Sequence, residues 1–236
     1  MNRISSFEEL KTLASSMLKP GVLTNASISK RDYLPSIEAG KLYYDQGPDY
    51  LYLYRQRDGF YICNFYVTNG KLDLNDGCIV EIAYRPKDTK LIDLISSLPY
   101  KKELERIRLT RDALSLESGE YTPASEKDLP LIKSSFDKYT GCIPTEEEIK
   151  LDYCISTDSG LIHYSLDGKT CDIRHMVVKE ECRRQGKSNE LLEKFNEVTA
   201  GLRASVWTNS NAAIAAYEKA GFKKDGRTSV VFSKGI

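Results

Sequence analysis

Histidine is nearly absent from this chain: His163 and His175 are the only two in 236 residues. The six cysteines (Cys63, Cys78, Cys142, Cys154, Cys171 and Cys182) include no CxxC pair, so a structural zinc site is not expected. Thiols scattered in this way point to reduced, mostly buried side chains. Neither sign of charge is in excess, because Lys plus Arg and Asp plus Glu each number 34. Such a molecule has no global field to attract nucleic acid or an anionic membrane, and neither is expected as a partner. The apolar run of a signal peptide or membrane span is missing too, since residues 1–6 pass straight into Phe7-Glu8-Glu9-Leu10-Lys11. A cytoplasmic location is the expectation.

Hydrophobic residues make up 41% of the chain and charged residues 29%, which suffices for a buried core and a solvated surface. The length suggests two small units. Phe7, Leu10, Leu13 and Met17 recur at helical spacing and predict a helix over 6–17, ended by Pro20-Gly21. A second, proline-interrupted helical stretch follows. Residues 50–54 and 60–67, joined across Asp58-Gly59, predict a hairpin whose aromatic residues belong to a sheet core. Next come a strand over 78–84, a helix over 91–98, and a segment at 103–109 whose periodicity fits strand or helix. The polar stretch 115–119 marks a boundary between domains 1–115 and 116–236.

The second half begins with a short strand over 120–122 and two helix starts with capping-box spacing, Ser125 with Asp128 and Thr145 with Glu148. Strands follow over 153–157, 161–166 and 172–178, separated by Ser159-Gly160 and Asp167-Gly168. A helix over 186–200, a strand over 204–207, a helix over 211–220 and a strand over 228–233 complete the chain. The first half repeats this order coarsely, as a duplicated fold would whose first copy has lost its chemistry.

The informative segment is Met176-Val177-Val178-Lys179-Glu180-Glu181-Cys182-Arg183-Arg184-Gln185-Gly186-Lys187-Ser188, where a strand yields to a charged loop and then a helix. A helix beginning here leaves its first backbone N–H groups unpaired at the positive end of its dipole, which makes an anion site. Gly186 lets the backbone approach a diphosphate closely, while Arg183, Arg184 and Lys187 add charge. A P-loop is excluded, because its first glycine would fall on Glu181. A second segment, Asn209-Ser210-Asn211-Ala212-Ala213-Ile214-Ala215-Ala216-Tyr217-Glu218-Lys219-Ala220-Gly221-Phe222, is a small-residue helix that a flat ligand can lie against, stopped by Gly221.

Together the two segments resemble the GNAT family of N-acetyltransferases, which combines an Arg/Gln-x-x-Gly-x-Gly/Ala loop after its fourth strand with an asparagine-led helix ending in YxxxGF. Here these are Arg183-Arg184-Gln185-Gly186-Lys187-Ser188 and Tyr217-Glu218-Lys219-Ala220-Gly221-Phe222. The resemblance spans about 120–236 and implies an α/β (α+β) GNAT fold, a mixed central sheet flanked by helices, in two tandem GNAT-like domains. It implies acetyl-CoA as cosubstrate, no metal, and transfer of acetyl to a small-molecule or peptide amine. The diphosphate would sit on Arg183, Arg184, Gln185, Gly186, Lys187 and Ser188, and the pantetheine along Met176, Val177 and Val178. Asn211 is carried over as a further cofactor contact, although Ser210 holds the aligned position. Tyr217 matches the family's general acid. His175 is a candidate base that would share a strand face with Ile173 and Val177, alongside Asp172, Glu146, Glu148 or a water path. Trp207 reads as core. The first half has no comparable loop, only Arg85-Pro86-Lys87-Asp88-Thr89-Lys90 after its strand, and would shape the acceptor pocket or a homodimer surface. A non-catalytic acyl-CoA-binding module and a different acyl donor remain as alternatives.

Overall fold

The computed structural model describes residues 1–115, 117–140 and 143–236, so Cys142 and the boundary residue Leu116 lie outside the described residues. By contacts the chain divides into one unit of Met1–Glu105 with Thr228–Ile236 and a second of Arg106–Arg227. This stands beside the division into 1–115 and 116–236 expected from the polar stretch.

The first unit contains β1 (Asn2–Arg3), α1 (Phe7–Ser16), β2 (Leu23–Thr24), α2 (Lys30–Glu38), β3 (Leu42–Gln46), β4 (Tyr50–Gln56), β5 (Tyr61–Val67), β6 (Cys78–Tyr84) and α3 (Lys90–Ser96). The segment that periodicity left open is a strand, β7 (Lys101–Arg111), which continues into the second unit. Ser6 caps α1 by accepting from Glu9 N at 3.1 Å, while the Glu9 carboxylate accepts from Ser5 N at 2.8 Å. The hairpin pairs Tyr50 with Val67 through Gln56 with Tyr61. Alternate side chains of β4 enter different cores: Tyr52 and Tyr54 pack with Phe65, Ile82 and Ile95, whereas Leu51 and Leu53 pack with Leu10, Tyr33 and Tyr66. Both faces are therefore covered, which is why β4 is apolar or aromatic throughout its buried middle instead of alternating with polar residues.

Strands β5 and β6 are parallel but pair only at Tyr61–Cys78 and Ile62–Ile79. Beyond that point β2 pairs with β5 (Leu23–Val67, Thr24–Tyr66), and Asn25 bridges the diverging strands. Its amide donates to Cys63 O at 3.3 Å and Glu81 O at 3.1 Å, and its carbonyl accepts from Phe65 N at 2.8 Å. The gap between these strands is thus filled by the unit's own chain.

The second unit contains α4 (Leu129–Ser135), α5 (Glu146–Ile149), β8 (Tyr153–Thr157), β9 (Gly160–Asp167), β10 (Thr170–Val178), α6 (Lys187–Val198), β11 (Arg203–Thr208) and α7 (Asn211–Lys219). Both capping boxes form. The strand expected over 120–122 is reduced to a single bridge from Pro123 to Tyr153. The sheet runs β8-β9-β10 antiparallel, β10-β11 parallel and β11-β7 antiparallel. One face packs on Leu129 and Ile132 of α4 and Ile149 of α5, and the other on Leu191 and Phe195 of α6 and Tyr217 of α7.

The last strand, β12 (Lys223–Lys234), leaves the second unit, and its outer part pairs with β6 from Thr228–Tyr84 to Lys234–Cys78. Val230 and Phe232 thereby join the first unit's core beside Tyr54 and Ile82. Substituting Phe232→Ala is expected to cost about 3–5 kcal/mol. Hydrogen exchange should localise the loss to β6, some 150 residues earlier in the chain; unchanged β6 protection would contradict the pairing.

Candidate functional site

Register along β10 breaks at one residue. Ile173 lies opposite Tyr164 of β9, but His175 lies opposite His163, so Arg174 is an extra residue in the ladder. Such a bulge reverses the alternation of side chains. Before it, Cys171 and Ile173 pack on the α6/α7 face; after it, Val177 packs on the α4/α5 face and Met176 and Val178 turn toward α6. This corrects the shared face assigned to Ile173, His175 and Val177: His175 keeps Val177 as a neighbour and loses Ile173.

Pairing between β10 and β11 also stops there, running from Thr170–Arg203 only to Ile173–Val206. The strands then splay around a cavity of about 310 Å³. Its walls include Met176, Val177 and Val178 of β10 and Trp207, Thr208 and Asn209 beyond the last β10–β11 pair. Ser135, Phe136 and Thr140 line it from the α4/α5 side, and Ala213 and Tyr217 from the α6/α7 side. Two ligands can therefore meet inside it from opposite faces of the sheet.

At the end of β10 the loop is tied back by Arg183, whose Nε donates to Val178 O at 3.2 Å. Arg184 has φ 61° and is the one non-glycine residue described with positive φ; Gly186, at φ 78°, stands at the N-cap of α6. Left-handed backbone at both positions turns successive N–H groups to one side, as in an anion nest. Among the described residues, the backbone N–H groups of Arg184, Gln185, Gly186, Lys187 and Ser188 donate to no backbone group beyond their own turn and helix. Their side chains are otherwise engaged at two points: Gln185 donates to Glu181 O at 2.8 Å, and Lys187 pairs with Glu190 at 2.8 Å.

Helix α7 ends in a Schellman motif. Phe222 N donates to Tyr217 O at 3.0 Å and Gly221 N to Glu218 O at 3.1 Å, with Gly221 at φ 89°. Phe222 packs back on Tyr217 with ring centroids 5.4 Å apart. The YxxxGF spacing is thus a helix stop that fixes Tyr217 one turn before the end. The ring is buried at 3% exposure, yet it lines the cavity, and burial is the one influence acting on its hydroxyl. Burial pushes its proton affinity above that of a free phenol, so Tyr217 is protonated at neutral pH.

His175 is not part of the cavity lining. Its ring lies under Phe136, with centroids 4.8 Å apart, and its Nδ1 is 3.0 Å from Nδ1 of His163. Nε2 of His163 is in turn 2.9 Å from the Asp152 carboxylate, off the line of the ring N–H. Burial, then His163 and Arg174, pull the His175 pKa down to about 3, with Asp152 opposing. Asp172 is bonded to Ser205 and Glu148 is committed to its capping box. Asn211 is exposed and outside the lining, which takes Asn209 and Ser210 instead. Trp207 lines the cavity, with the Arg108 guanidinium 6.0 Å from its ring. Arg106, Ser135, Phe136, Thr140 and Arg174 are lining residues that sequence reasoning missed. Four of the five described cysteines are buried and Cys182 is half-buried. No cluster of metal-ligating side chains occurs, and no helix is long and apolar enough to cross a membrane, among the described residues.

A histidine held neutral in the fold destabilises the protein in acid. The unfolded chain binds the proton near pH 6.5 and the folded chain only near 3, so stability is intact above about 6.5 and falls as pH drops between these values. The loss should approach about 1.4 kcal/mol per pH unit. Denaturant titrations at pH 7, 6 and 5 should show this slope, and His175→Gln should flatten it; equal slopes would assign the acid sensitivity elsewhere.

Residues 148–224 match the family model described as acetyltransferase (GNAT) domain. No protein with a curated description matches the sequence. Among solved structures, a tandem GNAT protein from the clavulanic acid biosynthesis pathway aligns over 100% of this chain and 98% of its own, with a TM-score of 0.57 and 10% identity. A GNAT-family acetyltransferase from Colwellia psychrerythraea aligns over 99% and 98%, with a TM-score of 0.55 and 14% identity. A GCN5-related N-acetyltransferase from Sphaerobacter thermophilus aligns over 92% and 96%, with a TM-score of 0.52 and 10% identity. At these identities the likeness is one of fold. The GNAT domain match thus falls on residues 148–224, and the whole chain is similar in fold to a tandem GNAT protein.

Proposed function

We propose that the second unit transfers acetyl from acetyl-CoA to an amine. One observation carries this reading: a run of backbone N–H groups with no partner beyond their own turn, at the start of α6, adjoins a cavity, opened by the splay of β10 from β11, that Tyr217 lines. The residues present fit the cosubstrate. Arg184, Gln185, Gly186, Lys187 and Ser188 would hold the diphosphate through their N–H groups, with no Cβ at Gly186 to obstruct it. The edge of β10 from Met176 to Val178, which no strand pairs on the β11 side, would receive the amide groups of the pantetheine arm. Acetyl-CoA supplies a thioester carbonyl, and attack by a neutral amine yields an amide and a thiolate.

Tyr217 is the group assigned to protonate the departing thiolate. Its phenol is kept protonated by burial and fixed by the helix stop. His175 is assigned a supporting role under Phe136, because an imidazole with a pKa near 3 is a weak base at neutral pH. The first unit is assigned no acetyl-CoA site: the gap between β5 and β6, the counterpart of the β10–β11 splay, already holds β2 and the Asn25 side chain.

Thiol release with acetyl-CoA over a panel of amines tests the reaction, and thermal shift with acetyl-CoA alone tests the binding. Tyr217→Phe should lower turnover by about 10²–10⁴-fold with the thermal shift retained. Gly186→Val forces a branched side chain into left-handed backbone, and should weaken acetyl-CoA binding by about tenfold, equivalent to about 1.4 kcal/mol. Calorimetry should give one acetyl-CoA per chain, and two would remove the account of the first unit. Absence of both shift and release overturns the proposal, whereas shift without release indicates a binding module.

A further inference from the structure

Two aromatic rings meet the cavity on one side of the sheet. Phe136 packs with the α4/α5 core, and Val206 packs on the α6/α7 face, which turns its neighbour Trp207 to the α4/α5 one. Both rings line the cavity and both are half-buried.

Each ring is fixed from behind. Helix α4 stops at Phe136, whose N–H donates to Ile132 O at 3.1 Å. The Asp137 carboxylate then accepts from Tyr139 N at 2.8 Å and from Thr140 N at 2.7 Å, which ties down the loop that follows. Beneath Phe136, the 3.0 Å contact between Nδ1 of His175 and Nδ1 of His163 needs one donor and one acceptor, so it fixes the tautomer and the rotation of both imidazoles. Both histidines of the chain are thus placed in the floor under this one ring. A phenylalanine that served packing alone would need only apolar neighbours, which cost less to bury than a pair of imidazoles. Trp207 is held from β7, where Arg108 lies opposite it in the ladder with its guanidinium 6.0 Å from the ring and 3.5 Å from the Asp225 carboxylate.

The cations on this side are engaged within the protein. Arg106 donates to Thr140 O at 3.4 Å among its contacts, and Arg174 to Ser165 Oγ at 3.3 Å. Tyr164 packs on the α6/α7 face, so its neighbour Ser165 draws the Arg174 guanidinium to the α4/α5 one. The Thr140 hydroxyl is bonded to Asp137 at 2.8 Å. Preformed ring surface is what this half of the cavity presents to an acceptor. A flat ring gains offset-stacked or edge-to-face contacts there, beyond what the same apolar area would give in another shape, and walls fixed in advance need no ordering on binding.

Resting on the acyl-transfer reading, we infer that the acceptor is an arylalkylamine, whose planar ring is received by Phe136 and Trp207. Ring-bearing amines would be compared with saturated partners of the same charge and similar size: phenethylamine with cyclohexylethylamine, and benzylamine with cyclohexylmethylamine. Cadaverine and alanine represent dicationic and carboxylate-bearing acceptors. Calorimetric titration in the presence of CoA gives affinity whether or not turnover occurs, and thiol release gives kcat/KM. At least one ring-bearing amine should exceed its saturated partner about tenfold in both. Phe136→Leu keeps apolar bulk and removes the flat ring, and should lower that ratio by about threefold or more with the acetyl-CoA thermal shift unchanged, whereas Phe136→Tyr should preserve it. Trp207→Leu gives the same test should Phe136→Leu fold poorly. Equal or tighter binding of the saturated amines, no binding of any ring-bearing amine, or a ratio that survives both leucine substitutions overturns the inference. Acyl transfer is judged separately: thiol release with cadaverine or alanine but with no ring-bearing amine leaves the transfer standing and removes the ring subsite.

Discussion

One additional residue in a ladder of hydrogen bonds governs the second unit. Arg174 cannot be matched on β9, so the chain bends, its side chains exchange faces, and its pairing with β11 ends at Ile173–Val206. Backbone groups inside a protein must find partners, and a strand edge without a neighbour is a demand for one. The cavity, the exposed edge over 176–178 and the placement of Arg174 itself on the α4/α5 side all descend from that mismatch. The first unit meets the same demand between β5 and β6 from within, through β2 and the three hydrogen bonds of Asn25. Two sheets of similar order thus reach opposite outcomes, one sealed and one open.

What the sequence disclosed and what it hid follow the range of the forces concerned. Helix caps are contacts between residues three apart, and Ser125 with Asp128 and Thr145 with Glu148 formed as their spacing required. The loop before α6 and the stop after α7 are likewise local, so Gly186 and Gly221 marked them correctly as backbone positions. The bulge has no such signature. It lies within Ile173-Arg174-His175-Met176-Val177, where Arg174 and His175 interrupt the apolar residues and leave no strict alternation from which the register can be read. Arg106 and Phe136 were hidden for another reason: they reach the cavity from β7 and from the end of α4, and only the tertiary fold brings those segments together. Asn209 and Asn211 could not be told apart by alignment, yet one lines the cavity and the other faces solvent because α7 starts between them.

Rigidity and chemistry are linked at Tyr217. The same hydrogen bonds that end α7 hold the ring, and the Tyr217–Phe222 contact closes one turn of backbone around it. A side chain positioned by its own helix stop needs little from its surroundings to stay in place, which frees the neighbouring walls to be shaped by ligands. His175 shows the converse. Held between Phe136, which meets it edge-on, and His163, it supports the wall behind which it lies, and it bears its cost as a sensitivity to acid.

The path of the final strand sets an order on biosynthesis. A ribosome releases the other strands and helices of the first unit with the outer edge of β6 uncovered, and the segment that covers it, Thr228 through Lys234, emerges only after the second unit. The core residues Val230 and Phe232 arrive only after the whole second unit has been made. The N-terminal half of the polypeptide is therefore the later of the two to close its sheet, and its exposed edge must be kept from other partners while the rest of the chain is synthesised.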